Sequence, residues 1–270
     1  MPHPLSSCYI THGLSTFVIL LSGWLTCCFI IDWLGRNVER IKATKIQPYE
    51  KSHDADLVNL ARRTVIRNWI AVGVQTCLAA PLLEAAFPLS SPLNKSEDGV
   101  AGMLGGPVCF FVAWLVTNDF LFTIAHALYH EIPWLYKFAH KEHHTWKAPH
   151  VWMSHAMTFT EISVNGIAVM AWPLVHSLLL GRMTPLWMVW LVQLVSQLIG
   201  CIEHSGYDFF YPLVFFNPAW FNGRVFSTTK HHDDHHKHFQ GNYGGYFACW
   251  DIILGTNIED GQSTYKKKKA

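Results

Sequence analysis

Residues 103–144 read MLGGPVCFFVAWLVTNDFLFTIAHALYHEIPWLYKFAHKEHH, and this stretch decides the fold. It opens as an apolar run close to the roughly 20 residues that a bilayer-spanning helix needs. It ends in five imidazoles: His126, His130, His140, His143 and His144. The HALYH segment puts His126 and His130 four residues apart, one turn along the same helical face. HKEHH gives His140, His143 and His144 the i+3 and i+4 spacing of one helical face. An apolar helix that delivers histidines to its own end is the organising unit.

Outward from it, four more stretches are apolar enough to cross or deeply enter a bilayer. The full set is 14–34, 69–88, 103–125, 162–181 and 185–202. The last two are separated by three residues, which predicts a tight helical hairpin. Composition agrees: of 270 residues, 50% are hydrophobic and only 14% are charged, against about 25% charged in soluble domains. A disordered chain is excluded, the composition argues against an ordinary soluble domain, and a net charge of +1 gives no strongly basic surface for nucleic acid. Seven cysteines without a CxxC pair, mostly in apolar runs, read as buried reduced thiols rather than a disulfide framework. The expected fold is all-α, a polytopic membrane protein of about five apolar helices with a cytosolic histidine-rich metal-binding cap.

Charge sets the expected orientation. Residues 1–13 hold no Lys or Arg, whereas the 35–68 loop holds Arg36, Arg40, Lys42, Lys45, Lys51, Arg62, Arg63 and Arg67. The positive-inside rule puts that loop in the cytosol, and the first segment, lacking a basic stretch before it, reads as a retained anchor rather than a cleaved signal. Counting spans onward puts every histidine cluster and the C-terminus on the cytosolic side too.

Thirteen of the 17 histidines fall within 126–155 and 204–238. A second HxxHH, His232-Asp-Asp-His235-His236, is extended backwards by His231, and His204 closes the fifth apolar stretch. At this histidine frequency roughly 0.07 copies of HxxHH are expected by chance, and two occur. Imidazole suits Fe, Cu, Zn and Ni, and one zinc needs only three or four protein ligands. Eight to ten candidates on one membrane face are enough for two metals. His3, His12, His53 and His176 have no partner near in sequence, and His150, His155 and His238 stand between support and bystander. Asp119, two turns before His126 inside an apolar run, reads as an acceptor for an imidazole N–H.

HALYH, HKEHH and HHDDHH, in this order around an apolar hairpin, resemble the fatty acid hydroxylase/sterol desaturase superfamily of membrane di-iron oxygenases. Glu203-His204-Ser205-Gly206-Tyr207 and Trp250-Asp251-Ile252-Ile253-Leu254-Gly255-Thr256 resemble the branch of sterol 25-hydroxylases and C-4 methylsterol oxidases. One element departs from the methylsterol oxidases: their HPxE reads Thr158-Phe159-Thr160-Glu161 here. The resemblance implies one membrane-embedded oxygenase domain over 1–270, with an anchor region to about 117, a catalytic region at 118–256 and a basic tail at 257–270. It implies metal ligation by His126, His130, His140, His143, His144, His204, His232, His235 and His236, with His231 close behind. It also implies two iron ions, O2 as co-substrate and a sterol-like lipid whose unactivated C–H bond is hydroxylated; desaturation or methyl oxidation would use the same site. The chain has no HPGG haem motif, so electrons from NAD(P)H are expected through separate cytochrome b5 and its reductase. Lys267 and Lys268, at positions four and three from the C-terminus, resemble a dilysine retrieval signal of the endoplasmic reticulum membrane. The rival reading from the residues alone, a histidine-rich metal transporter, calls for ligands at mid-span and an internal repeat. Here the histidines sit at segment ends and no repeat is visible.

Overall fold

The computed structural model describes residues 9–48, 51, 53–88, 99–180, 184–208, 225–259 and 262–263. His3 and the terminal lysines, with the retrieval signal assigned to them, lie outside the described residues. Five long helices form the body: α1 (Ser15–Asn37, entered through a π-turn at Tyr9–Leu14), α2 (Ala55–Ala86), α3 (Gly99–Glu131), α4 (Phe159–Leu180) and α5 (Leu186–Glu203). Two short helices follow, α6 (Thr229–His238) and α7 (Cys249–Leu254), then an antiparallel pair of two-residue strands in which Ile258 faces Ser263.

Among the described residues, four helical segments are long and apolar enough to cross a membrane: Tyr9–Asn37, Ala55–Ala86, Val108–Glu131 and Leu186–Glu203. Their outer surfaces suit lipid rather than water. Leu78, Leu82 and Leu178 expose 75%, 74% and 82% of their surface, which in a soluble domain would form an aggregation-prone patch. Inside, α1, α2 and α5 close over Leu20, Trp24, Ile31, Trp69 and Cys201, while α3, α4 and α5 close over Phe110, Trp114, Val169 and Val192. The described cysteines are free thiols.

The second helix begins well before the apolar stretch expected at 69–88. Asp54 caps it by accepting from the backbone N–H groups of Asp56 and Leu57, the usual way an Asp satisfies orphan donors in a first helical turn. Charges at Arg62, Arg63 and Arg67 end an apolar window but do not end a helix. That extension braces the histidine end: Arg67 and Asn68 both donate to the carbonyl of Met157, and Arg67 pairs with Glu142 at 3.2 Å. Trp146 donates its indole N–H to the carbonyl of Leu57.

The described residues at 38–48, 132–158 and 204–208 meet at the end of the bundle where α3 and α5 finish. Ile46 donates its backbone N–H to the Gly206 carbonyl, and Gln47 bonds Asp233 on α6. That end carries the histidines.

Candidate metal centre

Helix α3 continues past its apolar part and presents His126 and His130 from its last turns, as their spacing requires. Helix α6 presents His232, His235 and His236; Thr228 caps its start and Phe239, at φ +61°, ends it. His204 follows the last residue of α5. The second box is not one α-helix. A π-turn carries His140 and a 3-10 turn carries His143 and His144, because the segment is packed between helices rather than free to propagate.

Nine imidazoles gather into two groups, each with its ligand nitrogens within 4.8 Å of one another: His126, His130, His140, His144 and His235; and His143, His204, His232 and His236. The two HxxHH motifs are shared between the groups in opposite senses. The second box sends its outer pair to the first group and His143 to the second. The third box sends His232 and His236 to the second group and His235 to the first. On an α-helix, i and i+4 are about 40° apart while i+3 lies on the other flank, so one short helix faces two centres.

The nitrogens themselves test whether metal ions fit. In the first group the Nε2–Nε2 distances are 3.1 Å for His126–His140, 3.1 Å for His130–His144, 2.9 Å for His140–His144 and 3.2 Å for His144–His235. In the second they are 3.3 Å for His143–His204, 3.2 Å for His204–His232 and 3.1 Å for His232–His236. The opposite ring nitrogens fix the tautomers. His126 Nδ1 donates to the carbonyl of Tyr243 at 2.9 Å, His235 Nδ1 to Gly241 at 2.7 Å, His204 Nδ1 to Gly200 at 2.7 Å and His236 Nδ1 to Trp146 at 3.0 Å. A carbonyl only accepts, so the proton sits on Nδ1 and Nε2 keeps a lone pair. Lone pairs converging at this range repel unless a cation lies between them. Two nitrogens bonded at 2.0–2.1 Å to one ion with ordinary bond angles stand about 3.0–3.4 Å apart. The residues fit two ions.

Electrostatics point the same way. Burial pushes His204 down to about 4 and His140, His143, His144, His232, His235 and His236 well below the ordinary imidazole value, with the neighbouring imidazoles lowering these six further. Neutral imidazole is the ligating form.

Two residues assigned to the site take other positions. His231 lies outside both groups, with Nε2 3.1 Å from Asp251 Oδ2. On α6 it precedes His235 by one turn and is drawn to α7 instead. Asp119 is fully buried but reaches no imidazole; its two oxygens accept from the backbone N–H groups of Tyr246 at 2.6 Å and Phe247 at 2.9 Å. Seven residues keep it on the His126 face, but they also mean about 10 Å of rise, beyond a carboxylate's reach. Asp119 instead anchors the loop whose Tyr243 carbonyl orients His126.

Sequence reasoning missed three supports. Glu161 accepts from His140 Nδ1 at 2.8 Å; its signal was the glutamate kept at the end of Thr158-Phe159-Thr160-Glu161. Asp251 accepts from the N–H groups of Tyr243 and Gly244, from Thr256 and from His231. Burial would raise it, but these donors hold its carboxyl below the usual value. Gly241 is the third: at φ +80° a side chain would run into the Thr256 carbonyl, so only glycine can aim this carbonyl at His235. His150 instead pairs with Asp32 at 3.3 Å, and His155 stacks on Trp69.

A cavity of about 700 Å³ runs from the histidines into the helix bundle, with His126, His140, His143, His204 and His232 in its wall.

A family model described as fatty acid hydroxylase matches residues 111–256. The chain belongs to the fatty acid hydroxylase family. The matched part of this hydroxylase holds all nine grouped histidines together with Glu161 and Asp251. The chain is 26% identical over 250 residues to cholesterol 25-hydroxylase-like protein 1, member 2, of Danio rerio, covering 91% of this chain and 80% of that one. It is 34% identical over 145 residues to cholesterol 25-hydroxylase of Homo sapiens, covering 53% and 48%, and 33% identical over 144 residues to a methylsterol monooxygenase of Aspergillus fumigatus, covering 53% and 46%. No solved structure matches the chain. With this family and these membrane-length helices, the hydroxylase is a membrane oxidoreductase.

Proposed function

We propose that the chain hydroxylates an unactivated C–H bond of a sterol-like lipid, using O2 and two iron ions held by the nine grouped histidines. The observation that carries this reading is the meeting of two all-imidazole nitrogen groups with an apolar cavity inside the membrane-length helices. His126, His130, His140, His144 and His235 would hold one ion, and His143, His204, His232 and His236 the other. Bound there, the iron pair supplies redox activation of O2, which no side chain of this protein can provide.

The remaining work falls to the chain. The carbonyls of Tyr243, Gly241, Gly200 and Trp146 keep the protons on Nδ1, so Nε2 stays open for ligation. Glu161 Oε1 does the same for His140, accepting from its Nδ1. The helices exclude water from the histidine end, and the cavity admits a lipid from the bilayer and fixes one carbon beside the ligands. Electrons come from NAD(P)H through cytochrome b5 and its reductase on the cytosolic side, where the basic start of α2 and the histidine connections lie together. The same orientation leaves the basic tail facing the cytosol, as retrieval to the endoplasmic reticulum requires.

The test is lipid profiling of cells with and without the chain, repeated with His143→Ala. A hydroxylated lipid that appears with the wild type and disappears with the variant supports the reading. Identical profiles with and without the chain would overturn it.

A further inference from the structure

Cys28 on α1 and Cys201 on α5 bring their sulfurs to 3.9 Å, with both side chains fully buried. Among the described residues this is the one thiol pair in contact. The two helices run close together here. A Cβ on Gly23 of α1 would stand 2.2 Å from Leu194 of α5, and the sulfurs meet a turn or two further along both helices. The connection that carries the second histidine box closes over the pair. Cys28 donates to the Val151 carbonyl at 3.7 Å, and Ser154 Oγ lies 3.6 Å from Cys201 Sγ.

A buried thiol is ordinarily inert, but this pair has a way out. Trp24 donates its indole N–H to Ser154 Oγ at 2.9 Å. An indole only donates, so the Ser154 oxygen accepts and the hydroxyl keeps its own proton to exchange. Ser154 stands in the wall of the cavity that reaches the histidines, with Cys201 directly behind it. A small neutral oxidant in that cavity meets a hydroxyl able to pass on the proton of the thiol. Hydrogen peroxide is such an oxidant, and O2 that takes two electrons and two protons without reaching a substrate becomes hydrogen peroxide. That source rests on the oxygenase reading above; the thiol pair does not.

We propose that Cys28 and Cys201 form a peroxide-sensitive dithiol whose oxidation to a disulfide shifts the histidine end. Cys201 Sγ takes one oxygen from hydrogen peroxide and becomes a sulfenic acid. The O–O bond breaks, and the thiol proton passes through the Ser154 hydroxyl to the departing oxygen, which leaves as water. Cys28 Sγ then bonds to Cys201 Sγ as the S–O bond breaks, and the hydroxyl leaves with the Cys28 proton as a second water. Two thiols and one peroxide give one disulfide and two waters, each sulfur giving up one electron. The bond holds the sulfurs at about 2.05 Å, well inside their present 3.9 Å, so the last turn of α5 is drawn towards α1. In that turn the Gly200 carbonyl accepts from His204 Nδ1, and His204 reaches His143 and His232 in the second group. None of the first group's imidazoles comes from α5. Oxidation therefore disturbs one nitrogen group and spares the other.

The experiment uses the full chain in nanodiscs, reduced and metal-free, and treats it with hydrogen peroxide. Remaining thiols are alkylated in denaturant, and the peptides are mapped by mass spectrometry without reductant. A peptide pair joined through Cys28 and Cys201 is expected, released by dithiothreitol and still formed in Cys27→Ser. In Cys28→Ser the reaction should stop at the Cys201 sulfenic acid, trapped as its dimedone adduct. Peroxide that oxidises the exposed Cys109 while Cys28 and Cys201 are recovered as thiols would overturn the site, as would pairing of Cys201 with Cys27. Iron titration of the reduced and oxidised wild type should then show about a tenfold loss of affinity at one of two sites, the lower end of what disturbing the partner of a ligating histidine causes. Dithiothreitol should reverse the loss, and peroxide-treated Cys28→Ser should not show it. A disulfide that leaves both affinities unchanged would overturn the coupling to His204. A disulfide formed in a chain that binds no iron even when reduced would instead count against the oxygenase reading and leave the thiol site standing.

Discussion

His140 Nδ1 donates to Glu161 Oε1 at 2.8 Å, across 21 positions of sequence and with both side chains buried. The pair joins the connection that carries the second histidine box to the first turn of α4, so the metal end and the apolar hairpin are held by the same bond. Replacing Glu161 with Ala leaves His140 free to change tautomer and turn. The expected result is a 10–100-fold loss of iron affinity or turnover, typical when the partner of a ligating histidine is removed. Iron titration of the purified variant measures it; wild-type affinity and activity together would remove Glu161 from the site.

The crossed sharing of the HxxHH motifs makes a sharper prediction. His235→Ala and His232→Ala lie three residues apart on α6 but belong to different groups. Each variant should lose turnover and retain about half of the wild-type iron, by loss of one ligand from one centre only. A mixture of the two variants should not differ from either alone. If both variants lose all metal together, the two groups are not separate sites.

His231→Ala separates support from ligation. His231 meets Asp251 rather than the metal groups, so the variant should keep its iron. Its cost is stability, about 1.5–3 kcal/mol for a lost hydrogen bond to a charged partner. Thermal melting and metal content measured on one preparation check both parts. Asp119→Asn should also lower the melting temperature, since an amide nitrogen cannot accept from Tyr246 or Phe247.

Much of this was legible in the residues. Apolar windows found the five helices because spanning segments must be long and uncharged, and HALYH kept its i, i+4 geometry because α3 is an ordinary helix there. The start of α2 was not legible, since a hydropathy window stops at Arg67 whereas the helix runs on to its cap at Asp54. The separation of His231 from His232 was not legible either. Neighbours on α6 point about 100° apart, and only the position of α7 decides which of them meets Asp251. Asp119 shows the same limit: spacing gives the face a residue occupies but not the 10 Å that separates it from a partner.

Acid should weaken the protein through the same histidines. Burial holds His204 at about 4, whereas an unfolded histidine titrates near about 6.5. Folded values below unfolded ones mean that the unfolded chain binds more protons in this range, so stability falls as pH falls. Metal-free protein should keep its melting temperature above about pH 6.5 and lose it progressively towards pH 4. A flat profile across that window would show that these imidazoles are not buried neutral.

The most direct test of the central claim supplies 18O2 to iron-loaded protein with cytochrome b5, its reductase, NADH and a sterol. The account predicts one 18O atom in a new hydroxyl of the lipid, dependent on the electron donors and lost in His143→Ala. A product whose new oxygen comes from water, or no oxidised lipid from fully iron-loaded protein, would contradict it.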